Sequence, residues 1–227
     1  MTSEPSDMFE AMYAGAEAGG DRPPWDHGGP RPQLVEWAKA RNLAGGGREA
    51  LVVGCGYGAD AEFLVLLGFR TTGFDFAPTA IAGARRRYPA SEVNYLVSDV
   101  MDLPREWQGN FDLVVESLTV QSMPPEQHSA AARNIAALVA PEGTLLVLAT
   151  TREEHSAVTG PPWPLTRAEV EEFSNGDLVI DRLEQIENGA WWRAELSRPR
   201  DHYARRRGEA TSARDVSASS PALGATR

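Results

Sequence analysis

Three glycines, Gly54, Gly56 and Gly58, alternate with Cys55 and Tyr57 inside the stretch LVVGCGYGADAEFLVLLGFRTTGFDF, Leu51–Phe76. An apolar run precedes them, a helical pattern follows, and a second apolar run ends on Asp75. Glycine lets a chain turn sharply and brings its backbone close to a ligand. The helix start behind such a turn presents free N–H groups and a partial positive charge to an anion. Asp75, at the carboxyl end of its strand, is placed to accept both hydroxyls of a ribose. Turn and acid together describe a site for an adenosine-containing ligand with an anionic arm. That arm would be pyrophosphate in a dinucleotide, or the amino-acid carboxylate in S-adenosylmethionine (SAM). The spacing is G-x-G-x-G rather than the G-x-G-x-x-G of dinucleotide-binding units.

Two later pieces narrow the choice. Ser98 and Asp99 follow a third apolar run and are placed to hold an adenine amino group, and FDLVVESLTVQSMPP (Phe111–Pro125) ends a fourth run on Glu116. With these residues the sequence resembles the class I SAM-dependent methyltransferases, from about Trp25 to Ser197. The resemblance is carried by VVGCGYG, GFDFAPTAIAGAR, SDV and FDLVVES. It implies SAM as methyl donor, with S-adenosylhomocysteine as product. It implies cofactor contacts at Gly54, Cys55, Gly56 and Gly58, at Asp75 and Phe76, at Ser98, Asp99 and Val100, and at Glu116 and Ser117. PPWDHGGPRP and GPPWPLTRAEVEEF point further, to a small-molecule branch similar to thiopurine, thiol and halide methyltransferases. That branch implies a seven-stranded sheet with a terminal hairpin and an N-terminal segment folding over the site. A thiol sulfur is then the expected acceptor, with a carboxylate, phosphonate or hydroxyl oxygen next. SLTVQSMPP lacks the (N/D)PP(Y/F) pattern of methyltransferases acting on bases or glutamine, and no acidic spacing marks a metal-dependent catechol-type site; both absences argue for a small acceptor without metal.

Methyl transfer from a sulfonium is a positioning problem: nucleophile, methyl carbon and sulfur must lie in line. A base is needed only for an acceptor that is not already ionised. Glu116, His27 and Asp26 are the candidates for that work, although a loop histidine is commonly just solvated. Tyr13, Trp25 and Trp163 are candidates for covering the acceptor, with plain packing the competing reading of Trp25. Cys55 is structural, because the loop accepts only a small residue there. His128 is expected on a helix surface. The rival readings are an NAD(P)-dependent oxidoreductase, disfavoured by the glycine spacing, and a SAM-binding protein without turnover.

The elements that must position these residues alternate along the chain. Strands are expected at Ala50–Gly54, Thr71–Phe74, Asn94–Val97, Leu113–Glu116 and Thr144–Ala149, and helices at Asp60–Leu67, Pro78–Arg87 and Glu126–Val139. The strand runs are almost continuously apolar, as in central parallel strands covered on both faces. The fold class is α/β, a doubly wound Rossmann-like sheet, mostly parallel. Two further runs, Leu178–Ile186 and Trp191–Ser197, flank Asn188-Gly189, a strong hairpin signal, so the sheet is expected to end in an antiparallel pair. Residues 1–32 form an N-terminal lid segment with an early helix and a Gly/Pro-rich stretch; residues 33–197 form the catalytic domain; residues 198–227, rich in Arg, Ser and Ala, are expected to be a disordered tail.

Composition sets outer limits. The 227 residues carry a formal charge of −10, and the last thirty hold seven Arg against three acids, which leaves −14 on residues 1–197. A body so acidic repels phosphate backbones, so no nucleic-acid partner is expected. No apolar run reaches the ~18 residues of a membrane span. With one cysteine and no visible secretory signal, the expected compartment is the cytoplasm, and the expected state a monomer or homodimer.

Overall fold

A computed structural model describes residues 5–174 and 177–200. Seven strands form one sheet: β1 (Glu49–Val53), β2 (Arg70–Asp75), β3 (Asn94–Val97), β4 (Phe111–Ser117), β5 (Val139–Thr150), β6 (Val179–Ile186) and β7 (Trp191–Ser197). Their order is β3-β2-β1-β4-β5-β7-β6. The pairs among β1–β5 are all parallel, while β7 runs antiparallel to both β5 and β6. The doubly wound sheet with its terminal antiparallel pair is therefore the architecture the apolar runs foretell.

Alternate residues of the central strands point to opposite faces, and both faces are apolar because both are covered. Ala50, Val52, Leu113, Val115, Leu146 and Leu148 pack with Leu34 and Trp37 of α2 (Pro32–Ala40), Leu64 of α3 (Ala59–Leu66) and Ile81 of α4 (Pro78–Arg87). Leu51, Val53, Val114, Leu145 and Val147 pack on the other face with Ile135 of α5 (Pro125–Ala137) and Val170 of α6 (Arg167–Glu171). Each of these fully buried Leu, Val and Ile side chains contributes ~1.5–3 kcal/mol. This rigid sandwich holds the carboxyl ends of β1, β2, β3 and β4 side by side.

The N-terminal helix α1 (Pro5–Glu17) lies against α4. Thr79 donates to Glu10, Arg86 pairs with Glu17, and Arg87 pairs with Asp26 at 2.8 Å. The connection between β6 and β7 is wider than a two-residue Asn-Gly turn. Ile186 pairs with Trp191, leaving a four-residue loop in which Glu187, Asn188 and Gly189 all have positive φ. Tertiary contacts set that shape: Gln33 donates to Glu187 Oε1 at 2.7 Å and Thr151 Oγ1 donates to the Gly189 carbonyl at 2.6 Å. Arg198, assigned above to the tail, is 7% exposed and donates to the Ala136 carbonyl at 2.8 Å, so order persists past the last strand. The expected tail beyond Arg200 lies outside the described residues. Among the described residues no helix is long and apolar enough to cross a membrane.

Candidate active site

The glycine turn bridges β1 and α3, and its conformation explains its composition. Gly58 has φ +90°, and a Cβ there would stand 2.1 Å from the Tyr95 hydroxyl oxygen. Gly56 has φ +52° and faces the Tyr13 hydroxyl, which would lie 2.9 Å from an added Cβ. Cys55 donates its backbone N–H to Phe74 at 2.8 Å, is 9% exposed, and has its thiol pushed well up by burial, so it packs rather than reacts. No side chain caps the start of α3, so the first-turn N–H groups face the turn without a protein side-chain acceptor.

Asp75 ends β2 with 4% exposure. Its Oδ2 accepts from Gly56 N at 2.9 Å and its Oδ1 from Ala77 N at 3.0 Å. Burial raises its pKa to about 6 against the opposing pull of these N–H groups. The carboxylate thus ties the glycine turn to the next loop and keeps lone pairs for further donors. Beside it Phe76 is 37% exposed, and Val100, after β3, is 6% exposed. Ser98 N donates to the Asp75 carbonyl at 3.1 Å, while exposed Asp99 accepts from Met101 N at 2.8 Å.

Glu116 is fully buried at the end of β4. Its Oε1 accepts from Thr119 N at 2.7 Å and Val120 N at 3.0 Å, which caps the turn after the strand. Its Oε2 and the adjacent Ser117 Oγ are buried with no partner among the described residues. Burial lifts the Glu116 pKa to about 7, with the two N–H groups pulling the other way. A buried polar atom without a partner costs ~1–3 kcal/mol, and such costs concentrate where a site is built for something else.

An aromatic cluster from the N-terminal segment packs beside the glycine turn. Trp25 packs edge-on against Phe9 and Tyr13 at 5.3 and 5.7 Å between centroids, and Tyr13 against Tyr57 at 5.1 Å. Trp25 Nε1 donates to the Tyr13 hydroxyl at 2.9 Å, and Phe9 reaches Phe76 at 6.4 Å. The structure does not bring Asp26 and His27 together. Burial works against ionisation of Asp26, but hydrogen bonds from Arg87 and Gly28 N outweigh it and hold its carboxyl below the usual range. His27 is exposed, and its Nε2 sits 3.2 Å from Arg31 Nη1.

A second polar network joins α5 to α6 and the loops beside them. His128 is 3% exposed rather than on the helix surface expected from sequence. It reaches the Met123 carbonyl at 2.9 Å through Nε2 and Glu169 at 3.0 Å through Nδ1. Glu169 also accepts from Arg152 at 2.7 Å and Thr166 N at 2.7 Å. Burial would raise its pKa, yet these donors, His128 foremost, bring it to about 2. Arg152 in turn donates to the Pro164 carbonyl at 2.9 Å, and Trp163 N donates to the Gln121 carbonyl at 2.6 Å. The network therefore clamps the loop that carries half-buried Trp163 to the segment after β4. One part was readable: Thr166-x-x-Glu169 is a capping-box spacing, and the box is formed. The further partners of Glu169 leave no local mark. Among the described residues no cluster of three or more His, Cys, Asp or Glu is arranged to hold a metal.

Residues 50–143 match the family described as a methyltransferase domain. The chain is 29% identical over 187 residues to 2-heptyl-1-hydroxyquinolin-4(1H)-one methyltransferase of Mycobacteroides abscessus, covering 81% of each protein. It is 30% identical over 151 residues to thiocyanate methyltransferase 1 of Arabidopsis thaliana, covering 66% of this chain and 65% of that one. The fold is shared with the N-methyltransferase NodS of Bradyrhizobium japonicum, solved with S-adenosylhomocysteine: TM-score 0.65 at 20% identity, over 87% of this chain and 100% of that one. Strand order, site and relatives together define a class I SAM-dependent methyltransferase. Within that class the chain is a small-molecule enzyme with SAM as its cofactor. The uncapped α3 start, the buried acid at the end of β2 and the unpartnered Glu116 Oε2 fit an anionic arm, a ribose and a polar group near the reacting centre.

Proposed function

We propose that this enzyme methylates an acceptor that binds as its own anion, either an ionised sulfur or an acidic oxygen carried on a flat ring. The observation that carries this reading is the state of the three base candidates. Glu116 is buried and committed to two backbone N–H groups, Asp26 is ion-paired with Arg87, and His27 is exposed against Arg31. Asp26 and His27 are engaged by arginines, and the one uncommitted oxygen of Glu116, Oε2, is sealed from solvent inside the protein, so an acceptor that brings its own negative charge fits best. Thiols ionise appreciably near neutral pH, and a hydroxyl on a ring nitrogen or an electron-poor ring is far more acidic than an alcohol. The relatives fit the same range: one is named for thiocyanate, the other for a 1-hydroxyquinolone.

In this reading the glycine turn and the start of α3 hold the amino-acid carboxylate of SAM, Asp75 takes the ribose hydroxyls, and Ser98 and Asp99 meet the adenine edge between Phe76 and Val100. Cys55 packs under the turn. Tyr13 and Trp25 in the lid segment 1–32, with Trp163 across the site, exclude water over the body formed by residues 33–197. Glu116 and Ser117 shape the polar floor and position rather than deprotonate. SAM supplies an electrophilic methyl group on a positively charged sulfur. The glycine turn and Asp75 would hold that methyl carbon in line with the acceptor's lone pair.

The test is an acceptor panel: thiocyanate, an aromatic thiol, 2-heptyl-1-hydroxyquinolin-4(1H)-one, an aliphatic alcohol and an aliphatic amine. The first three should define the activity, with kcat/KM following the acceptor's own ionisation, and Glu116→Gln should retain kcat/KM within tenfold. Comparable turnover of the alcohol or amine, or collapse of the Glu116→Gln enzyme with an altered pH profile, would overturn the proposal and make Glu116 a base.

A further inference from the structure

Several arginines of this fold, Arg31, Arg48, Arg85, Arg105 and Arg133, form no ion pair among the described residues, and of these Arg31 alone has a buried Nε without a partner there. Arg41, Arg70, Arg86 and Arg87 each pair with a carboxylate. Arg31 forms no ion pair among the described residues, yet its guanidinium is held in place. Nη2 donates to the Trp25 carbonyl at 3.3 Å, Nη1 meets His27 Nε2 at 3.2 Å, and the group lies 5.5 Å over the Trp191 ring. Five N–H donors are available on a guanidinium; Nε is buried and has no partner among the described residues. The nearest carboxylate influence is Asp60, whose Oδ1 is taken by the Arg31 backbone N–H at 2.6 Å. A planar cation fixed on three sides, with a buried donor unused, is what side-on recognition of a carboxylate requires.

Its place in the fold gives the unused donor meaning. Asp60 stands in the first turn of α3, directly after the glycine turn, so Arg31 is anchored at the end of the site where an anionic arm would lie. Trp191 begins β7 opposite Thr150, the last residue of β5, so the same guanidinium borders the acceptor side. We propose that Arg31 receives a carboxylate or other anionic oxygen of a bound ligand, either the amino-acid carboxylate of the donor or the ionised oxygen of the acceptor. The assignment rests on the SAM-dependent reading given above and adds a residue that the glycine, acid and aromatic positions do not include. His27 and Trp25 then act as positioning residues for the guanidinium.

The experiment is calorimetry on the full chain, wild type against Arg31→Gln and Arg31→Lys, with S-adenosylhomocysteine and with 5′-methylthioadenosine, which lacks the amino-acid arm. If Arg31 holds the donor carboxylate, Arg31→Gln weakens S-adenosylhomocysteine at least tenfold, leaves methylthioadenosine within threefold, and Arg31→Lys recovers only part of the loss. If it holds the acceptor anion, S-adenosylhomocysteine is unaffected. Instead, 2-heptyl-1-hydroxyquinolin-4(1H)-one binds the S-adenosylhomocysteine-saturated variant at least tenfold more weakly. A wild type that ignores the quinolone leaves the donor arm alone to decide. Affinities within threefold of wild type in both arms overturn the proposal, and should Arg31→Gln fail to fold, Arg31→Lys is read against the same limits. A wild type that binds neither nucleoside overturns the SAM reading itself, whereas intact methylthioadenosine binding with unchanged arms overturns only the role of Arg31.

Discussion

Replacing Asp75 by Asn should separate ligand binding from folding, and the structure sets the size of each effect. The Asp75 carboxylate is 4% exposed and its pKa rises from 3.8 to about 6 on folding. At neutral pH that shift of roughly two units means the folded protein carries ~3 kcal/mol of cost for a buried charge. Asparagine removes the charge but offers only one oxygen to the two N–H groups of Gly56 and Ala77, a loss of ~1–3 kcal/mol. The two terms nearly cancel, so Asp75→Asn should melt close to wild type at pH 7. Ribose hydroxyls, in contrast, lose a charged acceptor worth ~1.5–3 kcal/mol, and affinity for S-adenosylhomocysteine should fall ten- to a hundredfold.

The pH dependence carries opposite signs for the two properties. The folded-state pKa of Asp75 lies above its unfolded value, so its contribution to stability is fully present below pH ~4 and is lost as pH rises to about 6. Ligand binding needs the charged form, so affinity should drop by ~10-fold per unit as pH falls below about 6. Calorimetric titration with S-adenosylhomocysteine from pH 5 to 7.5, paired with thermal melts of both proteins, reads out both trends. An Asp75→Asn protein that binds within threefold of wild type at pH 7, or a wild-type affinity that is flat across this range, would refute the reasoning.

The Glu169 network and the docked N-terminal helix give two more expectations. Glu169→Gln leaves Arg152 and His128 without their carboxylate inside a partly buried site and should cost ~3–5 kcal/mol, seen as a lower midpoint in denaturant melts; a change under ~0.5 kcal/mol would contradict the network. Because the Glu169 pKa is lowered to about 2, its stabilisation is present above pH ~4.5 and fades as pH falls towards 2. Arg87→Ala cuts the tether to Asp26 and the stacking on Tyr57, 3.4 Å from its ring centroid. It should speed amide exchange across residues 8–25 and lower turnover at least tenfold while costing under ~2 kcal/mol of stability. Unchanged exchange and full activity would show that this pairing does not hold the cover.

Much of the frame was written locally. The strands at 49–53, 70–75 and 111–117 follow from apolar runs, the left-handed turn from alternating glycines, and the acid at the strand end from its place after the second run. Each needs only neighbouring residues to be recognised, because backbone sterics and hydrophobic periodicity act over a few positions. Glu116 was legible as a strand-end acid, but not that both N–H groups of the following turn would claim one of its oxygens. The partners that decide the site's chemistry lie far apart in the chain. Asp26 is met by Arg87 sixty-one residues on, His128 by Glu169 forty-one residues on, and Arg31 is set over the ring of Trp191. No local pattern encodes such pairs, because they depend on which helix covers which face of the sheet and on β7 inserting between β5 and β6. Residue types alone therefore carry the proposal of where a ligand would bind; the packing of the sheet decided which charged groups are already engaged by other residues.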